Sequence, residues 1–495
     1  MNRHNFFGHL ALAIAAVMLA AFIGQMQRMG DGTTLLTVKK RVQVEQVETI
    51  PEREIEAADE EDAEVIVRFR PGTTTTQIER LAARLNDRLE DQFEQVNNEA
   101  VIADEDDLSA EAVAAEYRAL PEVLYAEPNF EIELSPVEDE EFTGTYVRND
   151  EMGGGGGDDD DDPPVIKGDG RAPNDQMFAD QWALQNTGQR AGKPQADIGA
   201  LAAWEQTTGS DKLVIAVLDT GVDYTHRDLL HNIWIRPAAI AAYADDHLGM
   251  IDDRYGFDAA DNDGDPMDDN GHGTHCAGIV GAEGDNQEGI AGVNWKVEIM
   301  PLKFLSRGGS GTTKDAIEAI NYAIDRKKAG VNVRIISASW GSTARSRALG
   351  DAIKRAGEEG ILFVAAAGNS RTDNDRIPHF PSSYDLPNVV AVAALNRRDE
   401  LASFSNYGLK SVHIGAPGAE ILSTWPGDHY EEHSGTSMAT PVVSGVAALV
   451  LSANPKMSMA ELRAHLLDSV DPLPALKGKV STGGRINAAR AVRAE

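Results

Sequence analysis

Four stretches in the second half of the chain are apolar almost without interruption: LVIAVLDTG (213–221), VRIISASWG (333–341), ILFVAAAGN (361–369) and VVAVAAL (389–395). A strand with one wet face alternates apolar and polar residues, whereas a strand covered on both faces does not. These runs therefore predict a sheet with no wet face. Its covers are legible between the runs. TTKDAIEAINYAIDRKKAG (312–330) and RSRALGDAIKRAGEEG (345–360) carry apolar residues at helical spacing. Strands and helices in alternation predict an α/β fold, a mostly parallel sheet with helices on both faces. Ligands of such sheets meet the carboxyl ends of the strands. The first three runs end there in polar tips, among them Asp219, Ser339-Trp340-Gly341 and Asn369.

The chain ahead of this region divides by composition. Residues 1–25 hold an apolar run after Arg3 and read as a signal peptide or a membrane anchor; attachment would run through residues 6–23. Residues 26–62 are an increasingly acidic spacer. Residues 63–133 read as a small α+β unit: strand AEVIVRF, a helix in TTTQIERLAARLN, a second helix near 109–119, and a strand near Val123–Ala126. Residues 134–173 form a linker containing GGGGGDDDDDPP, whose glycines free the backbone and whose aspartates repel one another. Residues 174–495 make up the large α/β region. Eighty acidic against 45 basic residues give a net charge of −35, which argues against a nucleic-acid partner. A single cysteine, Cys276, rules out an internal disulfide.

Taken singly, the polar tips are ordinary: Asp219 ends a strand, His272 opens the small-residue run HGTHCAG, and Ser437 in GTSMATP precedes the apolar run PVVSGVAALVLSA, where it could simply cap a helix. Pro441 reads as a first-turn proline of that helix. Together they fit one reaction. A serine hydroxyl needs a base to take its proton, which His272 can be; a carboxylate on the other ring nitrogen fixes the tautomer, which Asp219 can do. Asn369 offers an amide donor for a developing oxyanion, and the Ser437 backbone N–H a second. Cys276, one helical turn past His272, reads as buried packing.

DTGVD (219–223), NGHGTHCAG (270–278), SWG (339–341), AAAGNS (365–370) and GTSMATP (435–441) resemble the signature segments of subtilisin-like serine proteases, the subtilase family, over roughly residues 174–492. The resemblance implies Asp219, His272 and Ser437 as the catalytic triad, Asn369 in the oxyanion hole, and Ser339-Trp340-Gly341 along the cleft that holds substrate backbone. Trp340, bulkier than the leucine common there, would reshape a subsite. DAADNDGDPMDDN (258–270) is similar to the calcium loop of thermitase-like members. That likeness implies structural Ca2+ on Asp258, Asp261 and Asp263, and a second site on Asp228 with the loop 281–290, where Asp285 and Asn286 are less well matched. VIVRF and VLYAEPNF make 63–133 similar to the inhibitory prodomain of these enzymes, cut off within 134–173. The expectation is an exported serine endopeptidase, secreted, periplasmic or anchored, made as an autoprocessed zymogen. It would act on proteins or peptides and be monomeric once mature. A transpeptidase or cyclase on the same triad and a non-catalytic peptide-binding homologue are the rivals.

Overall fold

The computed structural model describes residues 63–93, 98–134, 145–146, 172–245 and 248–493. The apolar segment 1–25, the acidic spacer 26–62 and the Gly/Asp run of the linker lie outside the described residues.

The front unit contains β1 (Glu64–Phe69), α1 (Thr75–Leu85), β2 (Asp87–Gln92), β3 (Glu99–Asp104), α2 (Ala110–Arg118) and β4 (Val123–Pro128). Its antiparallel sheet has the order β2-β3-β1-β4. Both helices begin on hydroxyl residues: Thr74 forms a capping box with Gln77, and Ser109 accepts from the Ala112 amide. Strand alternation sorts the side chains. Val65, Val67, Phe69, Ala100 and Ile102 pack with Ile78, Leu81, Val113 and Tyr117 of α1 and α2. Ile66, Val101 and Tyr125 point to the opposite face. Two short strands follow, β5 (Glu131–Glu133) and β6 (Thr145–Tyr146).

The large region opens with α3 (Ala200–Trp204), β7 (Gly209–Asp219), the hairpin β8 (Tyr243–Asp245) and β9 (Gly249–Ile251), and β10 (Phe257–Asp258). Then come α4 (His272–Gly281), β11 (Lys296–Lys303), β12 (Ser310–Thr312), α5 (Thr313–Lys328), β13 (Val333–Ala338), α6 (Arg347–Glu358) and β14 (Leu362–Ala366). The remainder is β15 (Val389–Leu395), β16 (Ile414–Pro417), β17 (Ile421–Trp425), β18 (His429–His433), α7 (Thr436–Ala453), α8 (Met459–Asp468), β19 (Val470–Pro472), β20 (Gly484–Ile486) and α9 (Ala488–Ala491). One nine-stranded sheet runs β10-β11-β7-β13-β14-β15-β16-β20-β19. Its pairs are parallel except the last, β19–β20. The sheet is therefore mixed, with an antiparallel edge.

Strand β7 shows why the apolar runs are continuous. Leu213, Ile215 and Val217 pack on α7 and α4, while Val214, Ala216 and Leu218 pack on α5 and α6. Among the described residues one helix, α7, is long and apolar enough to cross a membrane. It is buried as the central helix of the first core, which explains its apolar character all round.

Register brings the polar tips together. Leu218 pairs with Ala338, and Ala338 with Ala365. Asp219, Ser339 and the 366–369 turn thus leave neighbouring strands at one edge of the sheet.

Candidate active site

Asp219 ends β7 fully buried, and His272 is the first residue of α4. The ring Nδ1 of His272 lies 2.7 Å from Asp219 Oδ1, which also accepts from the Thr220 amide at 2.8 Å. Burial disfavours the imidazolium, but the Asp219 charge and hydrogen bond outweigh it and hold the ring's pKa above the usual histidine range. Helix α4 is itself pinned by a residue not foreseen from the sequence, Asp268. One of its oxygens accepts from Thr220 Oγ1 and the amides of Asn270 and Gly271, the other from the amide and hydroxyl of Thr274. Its signal was an aspartate just ahead of a helix start.

Ser437 is the second residue of α7, whose N-cap is Gly435. It therefore does not cap the helix. Pro441 sits in the second turn rather than the first, so the expected position is corrected. The proline has no N–H for the Ser437 carbonyl. That carbonyl instead accepts from Ser339 Oγ at 2.8 Å and from Cys276 Sγ at 3.5 Å. The missing helical bond thus ties the serine to two neighbouring elements. The Ser437 hydroxyl donates to the Ser339 carbonyl at 2.8 Å. The ligand atoms of Cys276, Asp219 and His272 all lie within 4.8 Å of one another, so the contact with Cys276 brings Ser437 to the same corner. Burial pushes the Cys276 thiol far up, leaving it no role as a thiolate.

Asn369 Oδ1 accepts from both the amide and the hydroxyl of Thr436, each at 2.9 Å. This commits the oxygen end and leaves Nδ2 as the donor end, on the side of Gly435. Trp340 departs from expectation. Its ring is buried, donates Nε1–H to the Leu218 carbonyl at 2.9 Å, and packs on Phe304 at 4.7 Å between centroids. The ring belongs to the core, so it does not reshape a subsite.

The acidic residues fall into two corners. Asp228 is buried; Oδ1 accepts from Asn286 Nδ2 at 2.7 Å, and Oδ2 from the Ile290 amide at 2.9 Å and Tyr430 Oη at 3.1 Å. Beside it the sequence reading missed Asp175, which accepts from the Asp285 amide at 2.7 Å while its other oxygen is buried without a partner. Burial, reinforced by the Asp228 charge, pushes the pKa of Asp175 up to about 6. Asp285 itself is exposed and faces the Asn174 amide. In the other corner Asp258 is buried, its pKa raised to about 7 by burial, and its Oδ1 accepts from the amides of Ala260 and Asp261. Asp263 pairs back on Asp258 through the backbone; Asp261 and Asp263 are exposed.

Residues 210–487 match the subtilase family, and residues 35–129 match the fervidolysin N-terminal prodomain. A thermophilic serine proteinase from Bacillus sp. (strain AK1) is 41% identical over 290 residues, covering 59% of this chain and 64% of that protein. Thermitase from Thermoactinomyces vulgaris is 36% identical over 321 residues, 65% of this chain and 99% of thermitase. Halolysin from Haloferax mediterranei is 37% identical over 324 residues, 64% of this chain and 54% of halolysin. The chain thus spans between about half and nearly all of the length of these relatives. With its buried carboxylate–imidazole pair, its serine at the head of the central helix and its N-terminal prodomain, the chain belongs to the subtilase family and carries that family's serine-protease catalytic domain.

Proposed function

We propose that the protein is a serine endopeptidase made as an autoprocessed zymogen and exported to act on proteins or peptides. Ser437 Oγ swings from the Ser339 carbonyl to His272 and attacks the scissile carbonyl as His272 takes its proton. Asp219 holds the imidazole by Nδ1 and stabilises the imidazolium. Asn369 Nδ2 and the Ser437 amide receive the oxyanion; each such donor is worth roughly 3–4 kcal/mol. His272 then protonates the leaving amine, and water releases the acyl group. The single observation that carries this reading is the 2.7 Å contact of His272 Nδ1 with a fully buried Asp219. A sulfonyl fluoride should abolish casein hydrolysis and leave one adduct, on the peptide containing Ser437. Hydrolysis that survives full labelling would refute the assignment, and cyclic or ligated products from linear peptides would favour the transpeptidase.

The front unit is the inhibitor. β5 pairs antiparallel with β12, Ser310 opposite Glu133, and the Leu134 amide donates to the Gly309 carbonyl at 2.9 Å. A segment from the chain's own N-terminal side thus occupies an open strand edge, as an extended peptide would. The cut that frees it falls within 134–173. The apolar run after Arg3 supports a signal peptide or anchor at 1–25 and the export it implies.

Ca2+ is the proposed structural cofactor. Asp175 and Asp228 fit it best: two buried carboxylates face each other, and one oxygen lacks a partner. Asn286 would complete the protein ligands with hard oxygen. Asp258, Asp261 and Asp263 form the second candidate, on the loop that leads to His272. When bound, the ion neutralises these carboxylates and ties their loops.

A further inference from the structure

His272 can act as a base only if the first turn of α4 stays seated against the end of β7. The two elements meet there by backbone: a side chain at Gly273 would come within 2.0 Å of the Gly221 carbonyl oxygen. Two threonines bridge the contact in opposite directions. Thr220, at the strand end, accepts from the Gly273 amide of the helix at 2.9 Å. Thr274, on the helix, accepts from the Asp223 amide past the strand end at 2.9 Å. A hydroxyl has one proton, and it accepts well from an amide only while that proton points elsewhere. Asp268 decides where both protons go. One of its oxygens takes the Thr220 proton at 2.9 Å, and the other takes the Thr274 proton at 2.6 Å. The amides of Asn270, Gly271 and Thr274 add three bonds between 2.8 and 3.0 Å.

All five partners of Asp268 are donors, so the group serves only as an acceptor, which is the role of a carboxylate. Burial raises its pKa, and the bonds from Thr274, Gly271 and Asn270 oppose that rise. An amide in its place would turn an NH2 group toward donors, either the Thr274 pair or the Asn270 and Gly271 amides. We propose that Asp268 is a positioning residue for the catalytic base: by orienting the Thr220 and Thr274 hydroxyls it locks the first turn of α4 onto the end of β7 and fixes the imidazole against Asp219. Its charge reaches the ring as well. Burial works against the His272 imidazolium, Asp219 favours it by charge and hydrogen bond, and the Asp268 charge adds to Asp219. The neighbouring rings of His275 and His433 and the thiol of Cys276 are all kept neutral by burial.

This inference rests on the peptidase reading. Its test follows the full chain as it cuts itself, and then the processed enzyme on a chromogenic peptide. Asp268→Asn should slow the self-cut and lower kcat about 10–100-fold, the cost of a misplaced base, with KM nearly unchanged. It should also move the acid limb of the kcat/KM profile to lower pH, because a negative charge that favours the imidazolium is gone. Thr220→Val and Thr274→Val each open one arm of the lock and keep the charge. Each should lower kcat about fivefold, the worth of one hydrogen bond, and leave the acid limb in place. These two variants decide the matter if Asp268→Asn does not fold. Unchanged kcat in the folded variants, or an Asp268→Asn enzyme that loses only melting temperature and keeps its acid limb, overturns the inference alone. A parent chain that neither cuts itself nor turns over the peptide would instead overturn the peptidase reading beneath it.

Discussion

The four-stranded and the nine-stranded sheet are both buried on two faces, but they obtain their covers differently. The nine-stranded sheet finds both in its own region, α4 and α7 on one side, α5 and α6 on the other. The four-stranded sheet owns only one. Its second face, with Ile66, Val101 and Tyr125, enters the same cluster as Ile317, Ile320, Ala348 and Ala352 of α5 and α6. That face also holds a polar clamp. The buried Glu99 carboxylate accepts from Tyr125 Oη at 2.6 Å and Arg68 at 3.1 Å, with Arg355 of α6 at 3.7 Å. Glu127 adds the cap that α6 needs, accepting from Ser346 Oγ at 2.6 Å and the amides of Arg347 and Ala348. The difference teaches that the front unit completes its own core only with the surface of α5 and α6.

The strongest challenge to this comparison is to separate the partners. Residues 63–134 alone should show no cooperative thermal transition by circular dichroism. They should gain one when mixed with the region beyond 172 carrying Ser437→Ala. A sharp melt of the isolated piece would show that its second face needs no cover. Next in size, Glu127→Ala should weaken inhibition by an added front unit about 10–100-fold, the worth of hydrogen bonds to a charged acceptor; an unchanged inhibition constant would remove the cap from the account. Chelation of Ca2+ should lower the melting temperature of the large region by about 10 °C. Asp228→Asn should abolish that difference, and a melt indifferent to chelator would count against the metal.

The smallest effect concerns pH. Asp87 lies opposite Asp104 across β2 and β3, and burial, with the Asp104 charge adding to it, pushes its pKa up to about 6. An unfolded aspartate titrates near 3.9. The folded form thus binds this proton more tightly. The stability it contributes is fully present below about pH 4 and is lost as pH rises through about 6. Melts of the full Ser437→Ala chain should show the front unit loosening over that window. Asp87→Asn should flatten the change, and a front unit equally stable at pH 4 and 7 would contradict the assignment.

How much of this was readable in the sequence depends on how local each cause is. Strands β7, β13, β14 and β15 were legible because burial on both faces writes an unbroken apolar run. The places of Asp219, His272, Ser437 and Asn369 were legible because each sits at a strand end or beside a helix start that the pattern predicts. What escaped depends on contacts distant in the chain. Asp175 looks like a turn residue until Asp228, fifty-three positions on, is folded against it. Trp340 reads as a cleft residue, and only the Leu218 carbonyl shows that its ring turns inward. Pro441 reads as a first-turn residue because nothing local says that the helix already begins at Thr436.

In the proposed reaction Ser437, activated by the Asp219–His272 pair, cuts peptide bonds, the chain's own included. The direct measurement is to express the full chain and its Ser437→Ala variant side by side and read their N-termini by mass spectrometry. The parent should lose its front unit by a cut within 134–173 and hydrolyse casein, while the variant stays full length and inert. Processing of both chains, or casein hydrolysis that survives the substitution, would contradict it.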